Sequence, residues 1–97
     1  MQQIKQAALE VDPSAQVILF GSQARGDAHE ESDWDVLVLT NESKTDVQYK
    51  ARFYERMYLV ELKNNIVISP LIRNNAEWER LKATWLFKEV KEQGQII

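Results

Sequence analysis

The chain has 97 residues, carries 12 Lys and Arg against 15 Asp and Glu for a net charge of −3, and contains no cysteine. This balance argues against electrostatic capture of nucleic acid, and no apolar run is long enough to span a bilayer. The missing thiols exclude disulfide frameworks and thiolate metal sites and fit a cytoplasmic setting. One domain, 1–97, with a single core is expected, without an N-terminal signal core, repeat, low-complexity tract or linker.

Gln3 to Val11 has the pattern of a short helix with Ile4, Ala7, Ala8 and Val11 on one face, ended by Asp12-Pro13. Val17-Ile18-Leu19-Phe20 is a continuous apolar run stopped by Gly21, as in a strand covered on both faces. Val36 to Leu39 repeats the pattern after Asp35. The connection from Ser22 to Ser32 is too short for an ordinary parallel crossover, so the two strands are expected to run antiparallel. That arrangement brings Gly21 and Ser22 opposite Asp33 and Asp35. Within the connection, Arg25 suits either a phosphate or the neighbouring Asp pair, or equally a solvated surface position. His29, among Asp27, Glu30 and Glu31, fits an exposed loop better than a catalytic role.

After a polar break from Thr40 to Lys44, Thr45 or Asp46 suits the cap of a helix reaching about Lys63. Val47, Ala51, Tyr54 and Tyr58 recur at helical spacing, as do Phe53, Met57 and Val60, predicting a wide apolar face. Its aromatic residues fit a core better than a nucleobase shelf. Asn64-Asn65 suits the helix stop, and Ile66 to Ile72 a third strand. Asn75 suits the cap of a helix including Trp78 and Leu81, and a last helix carries Trp85, Leu86 and Val90 before Gly94. Trp78 and Trp85, one heptad apart, are expected to cover the sheet from one face. Ile96-Ile97 can dock as an edge segment or fray.

The chemistry concentrates between Gln16 and Thr40. Strand periodicity puts Asp33 and Asp35 on one face and Trp34 on the other, with the two carboxylates roughly 6–7 Å apart along the backbone. Two such carboxylates repel unless a cation lies between them, and a hard divalent ion, Mg²⁺ or Mn²⁺, suits oxygen ligands. Such ions commonly take one or two carboxylates together with substrate phosphates. Gly21 permits close backbone approach, and Ser22 offers a hydroxyl and an N–H at a helix start, a seat for phosphate. A plain turn at Gly-Ser with a loop acid at Asp33 leaves the shared face unexplained.

Gly21-Ser22, ten residues, then Asp33-Trp34-Asp35 is similar to the GS-x10-DxD signature of the DNA polymerase beta nucleotidyltransferase superfamily. The stretch GSQARGDAHEESDWDVLV resembles that of the minimal nucleotidyltransferases, small prokaryotic proteins often encoded beside a helical HEPN-domain partner. The resemblance implies an α/β (α+β) fold, a small mixed β-sheet with flanking helices. It implies triphosphate binding, ATP above all, at Gly21 and Ser22, with metal binding at Asp33 and Asp35, and it favours a phosphate-binding role for Arg25. It further implies transfer of a nucleoside monophosphate to an acceptor hydroxyl, in some members a tyrosine of a HEPN toxin neutralised by the transferase. One departure stands out. Active members usually carry a third carboxylate on a later strand, whereas Ile66 to Ile72 holds no acid and only Ser69 as a polar side chain. Glu61 is the nearest upstream acid, on the expected helix. The alternative functions are therefore a weak or inactive nucleotide-binding module that docks on a partner, and a subunit supplying this core to a larger transferase.

Overall fold

In the computed structural model, which describes residues 2–97, four strands form one mixed sheet: β1 (Gln16–Phe20), β2 (Trp34–Thr40), β3 (Ile68–Asn74) and β4 (Gln95–Ile96). Their order across the sheet is β3-β2-β1-β4. β1 runs antiparallel to β2, with Phe20 opposite Asp35, as the short connection requires. β2 and β3 are parallel, and the helix between them makes the crossover that this pairing needs. β3 starts and ends two residues later than the sequence pattern suggests. Ile66 and Val67 instead form the approach to the strand, where the Val67 carbonyl accepts a bond from Trp34 N–H at 2.9 Å. β4 pairs with β1 through Ile96 opposite Ile18, so the C-terminal segment docks on the sheet edge.

The alternation of side chains splits the core in two. Val17 and Leu19 of β1 and Val36 and Val38 of β2 meet α1 (Gln2–Val11) and α3 (Val47–Asn64). The α1 face is the expected one, with Ile4, Ala7, Ala8 and Val11 all buried. On the opposite face, Ile18, Phe20, Leu37 and Leu39 meet Trp78, Leu86, Phe87 and Val90 of α4 (Asn75–Arg80) and α5 (Trp85–Gln93). No described helix is long and apolar enough to cross a membrane.

Asp46 caps α3 by accepting from Tyr49 N–H at 2.9 Å, and Asn65 closes it in the left-handed conformation. The wide apolar face expected of this helix is not all buried. Phe53 and Met57 are enclosed, whereas Val47, Tyr54, Tyr58, Leu59 and Leu62 are exposed. The stripe through Tyr49, Phe53, Met57 and Val60 takes the whole contact with the first core. Tyr54 and Tyr58 lie about 100° further round the helix, where they are exposed and line a surface cavity with Ile68 and Pro70 of β3, so they are not core residues.

The two tryptophans also depart from expectation. Thr84 accepts from Phe87 N–H at 3.2 Å and donates to the Leu81 carbonyl at 2.6 Å, starting a new helix between them. Trp78 on α4 is buried and stacks on Phe87 with ring centroids 4.9 Å apart, but Trp85 on α5 is 73% exposed. The heptad spacing fails because the two residues do not share a helix. Asn74, not Asn75, caps α4, in a reciprocal capping box with Glu77.

Candidate active site

Asp35 projects onto the α4/α5 face of β2, the side to which Leu37 and Leu39 point, and Asp33 precedes it with the same parity. Trp34 points the other way and packs against the α1/α3 core. The antiparallel register then brings the chain leaving β1 against the Asp35 carboxylate. Gly21 lies there with φ 72° and ψ −154°, a region essentially restricted to glycine. A Cβ at this position would collide with Asp35 Oδ2. Glycine is therefore demanded twice, by the backbone and by the contact.

Beyond Gly21 the chain turns directly into one helical turn, α2 (Ser22–Arg25). Ala24 N–H and Arg25 N–H both bond to the Gly21 carbonyl, at 3.1 and 3.0 Å. Ser22 and Gln23 are the leading residues of the turn, and their N–H groups precede its first internal bonds. Gly26 closes the turn, its N–H reaching the Ser22 carbonyl at 3.0 Å. Gly21 of the Gly-Ser pair therefore meets Asp35 of the Asp-x-Asp pair, as the sequence spacing suggests. The expected Ser22 helix start is present.

Arg25 does not bridge the Asp pair. Its Nη1 donates to Glu89 Oε1 at 2.8 Å and its Nε to Asp27 Oδ2 at 3.3 Å. Glu89 comes from α5, and its side chain is only 13% exposed. Burial holds the Asp35 carboxyl above its ordinary value, the negative charges of Asp33 and Glu89 add to this, and Arg25 partly offsets them. Glu89 is the site neighbour that sequence reasoning missed. A single acid on the last helix carries no local signal, and only the tertiary placement of α5 over this face reveals it.

The strand expected to bear a third acid places Ser69 opposite Asp35. The Ser69 hydroxyl donates to Asp33 Oδ2 at 3.2 Å. Glu61 does not substitute for the missing group, because its Oε2 accepts from Ile68 N–H at 2.8 Å and braces the start of β3. His29 is exposed in the loop, where its Nδ1 accepts from Glu31 N–H at 3.3 Å and its own N–H reaches Ser32 Oγ at 2.9 Å.

Asp33 and Asp35 fit a divalent ion in one respect and not in another. Two adjacent oxygen donors, one of them destabilised by surrounding negative charge, favour a cation. Among the described residues, however, no three His, Cys, Asp or Glu side chains are placed to cage one. The donor set suits an ion whose remaining ligands are waters and substrate phosphates, as is usual for Mg²⁺.

Two proteins of Methanocaldococcus jannaschii are similar over most of this chain. That named "Putative protein adenylyltransferase MJ0141" is 48% identical over 83 residues, covering 86% of this chain and 78% of its own length. "Putative protein adenylyltransferase MJ0604" is 33% identical over 82 residues, covering 84% and 75%. Among solved structures, a toxin-antitoxin with AMP-PNP shares the fold at a TM-score of 0.71 and 22% identity, over 98% of this chain and 69% of that one. A mutant of the toxin-antitoxin MntA-HpeT matches at 0.68 and 21% identity, over 99% and 69%. The profile of the nucleotidyltransferase domain family matches residues 1–94, and the chain belongs to that family.

Proposed function

We propose that this chain, working as a single cytoplasmic domain, binds a Mg²⁺–nucleoside triphosphate, ATP above all, and transfers its nucleoside monophosphate to an acceptor hydroxyl. The observation that carries this reading is the contact between Gly21 and the Asp35 carboxylate. It brings the start of α2 beside the Asp35 carboxylate, where the leading N–H groups would seat phosphate next to a metal held by the Asp pair. Ser22 and the α2 backbone would hold the triphosphate, with Arg25 at the end of the same turn. Asp33 and Asp35 would hold Mg²⁺ or Mn²⁺, which neutralises charge on the phosphate oxygens and the leaving group. The acceptor oxygen bonds to the α-phosphorus as the bond to the β-phosphate oxygen breaks. Pyrophosphate leaves, and the hydroxyl proton passes to water.

The proposed acceptor is a tyrosine on a helical, HEPN-type partner, with this chain acting as its antitoxin. Support comes from relatives named as protein adenylyltransferases and from toxin-antitoxin structures of the same fold, one of them with AMP-PNP. The missing third carboxylate predicts slow transfer by the isolated chain, with the partner supplying position and an acidic group. Mass spectrometry of the pair co-expressed from neighbouring reading frames tests this. A nucleoside monophosphate adduct on a partner tyrosine is expected, absent with Asp33→Asn/Asp35→Asn. A tight complex without adduct would refute transfer.

That outcome would favour a second reading, a docking module that retains only the nucleotide site. Two observations support it: Ser69 in place of an acid opposite Asp35, and the uncovered face of α3 bearing Tyr54, Tyr58, Leu59 and Leu62.

A further inference from the structure

Trp85 is the most exposed aromatic side chain among the described large hydrophobic residues, and its position is not random on the surface. α5 turns Leu86, Phe87 and Val90 toward the sheet, so Trp85, Lys88, Glu89 and Glu92 form the opposite face. Together with Arg25 and Gln93 these residues line a groove of about 350 Å³. The groove adjoins the Asp35 side of the sheet, because Arg25 ends the turn that follows Gly21, and Gly21 lies against the Asp35 carboxylate. Arg25 joins the two places directly: it ends the single helical turn that Ser22 begins, and its guanidinium is paired to Glu89 inside the groove. Gln95 Nε2 fastens this junction by donating to the Ala24 carbonyl at 2.9 Å.

We infer that this groove is the nucleobase subsite, with the Trp85 indole as the stacking platform for a purine. The inference rests on the triphosphate being seated at Gly21-Ser22. Arg25 ends the turn that begins at Ser22 and also lines the groove beside Trp85, so seat and groove follow one another along the same surface. A flat, exposed indole gains by covering one face with a flat heterocycle. Lys88, Glu92 and Gln93 offer both donors and acceptors to the edge of the base. An apolar partner surface is the less suitable occupant, since four of the six lining side chains are charged. Arg25 keeps donors beyond the two it uses with Asp27 and Glu89, so it can hold Glu89 and meet a phosphate at once.

The test compares Mg²⁺–ATP with Mg²⁺–tripolyphosphate, which has the phosphates but no base, on the wild type, Trp85→Ala and Trp85→Phe. Calorimetric titration should show Trp85→Ala weakening Mg²⁺–ATP roughly tenfold, the order expected for losing one base–aromatic stack. Tripolyphosphate affinity should be unchanged, and Trp85→Phe should retain most of the ATP affinity. Mg²⁺–ATP should also quench the long-wavelength indole emission of the wild type, and this response should be absent from Trp85→Phe. Unchanged ATP affinity in Trp85→Ala, or an equal loss for both ligands, overturns the subsite. If tripolyphosphate binds and Trp85 is indifferent, only the subsite falls. If the wild type binds neither ligand, the triphosphate seat falls with it.

Discussion

Gly21 couples backbone geometry to site chemistry more tightly than any other residue described. Its φ of 72° with ψ of −154° strains any L-side chain, and the space beside it is filled by the Asp35 carboxylate. Gly21→Ala should therefore lower stability by about 1–3 kcal/mol and push Asp35 away from its position. Urea unfolding followed by circular dichroism checks the first effect, and the fall in Mg²⁺–ATP affinity checks the second. Wild-type stability together with wild-type affinity would contradict this account. Gly94 is demanded by packing alone: its φ is −65°, but a Cβ would strike the Val90 carbonyl and meet Ile18 Cγ2 at 2.8 Å. The approach of Gly21 to Asp35 is legible in the sequence because short-range strand and turn geometry alone brings them together. Glu89 is not, since it meets Arg25 across 64 positions of chain.

At the scale of elements, most boundaries follow from local side-chain caps, and the departures come where tertiary packing decides. Asp46 and Asn65 bound α3 as their chemistry suggests, whereas Gly94 ends α5 in an extended conformation open to any residue. The fate of the α3 aromatics could not be read from periodicity, which counts apolar positions but not the surfaces available to cover them. The break at Thr84 was equally hidden, because Trp78 and Trp85 keep helical spacing across it. The start of α4 gives a further test. Glu77 accepts from the Thr45 hydroxyl at 2.6 Å and from Asn74 N–H at 2.9 Å, and these bonds hold its carboxyl below the ordinary value of 4.5. A carboxyl depressed by folding stabilises the native state above its unfolded value, and that contribution is lost as pH falls through its folded value. Glu77→Gln should cost about 1 kcal/mol near neutral pH, and its difference from wild type should shrink as acid protonates the native Glu77. Thermal unfolding across that range measures it; a difference independent of pH would contradict the assignment.

For the whole molecule, association through the sheet is restricted while the helix faces remain available. The long outer strand β3 is a poor template for a further strand. Ile68 N–H is taken by Glu61, Asn74 N–H by Glu77, and Pro70 has no N–H to offer. At the other edge β4 contributes only Gln95 and Ile96. The exposed face of α3 is therefore better suited to a helical partner than either strand edge, which agrees with a proposed role within a complex. The proposed function depends on the Gly-Ser turn and the Asp pair forming a single metal–triphosphate site. Isothermal titration of Mg²⁺–ATP into the wild type and Asp33→Asn/Asp35→Asn, each with and without Mg²⁺, tests it most directly. The double variant should fold at least as well in metal-free buffer, because charge repulsion around Asp35 is relieved. Mg²⁺-dependent binding is expected of the wild type, with the Mg²⁺-dependent part abolished in the variant. Equal Mg²⁺–ATP affinity in both proteins would contradict a single site.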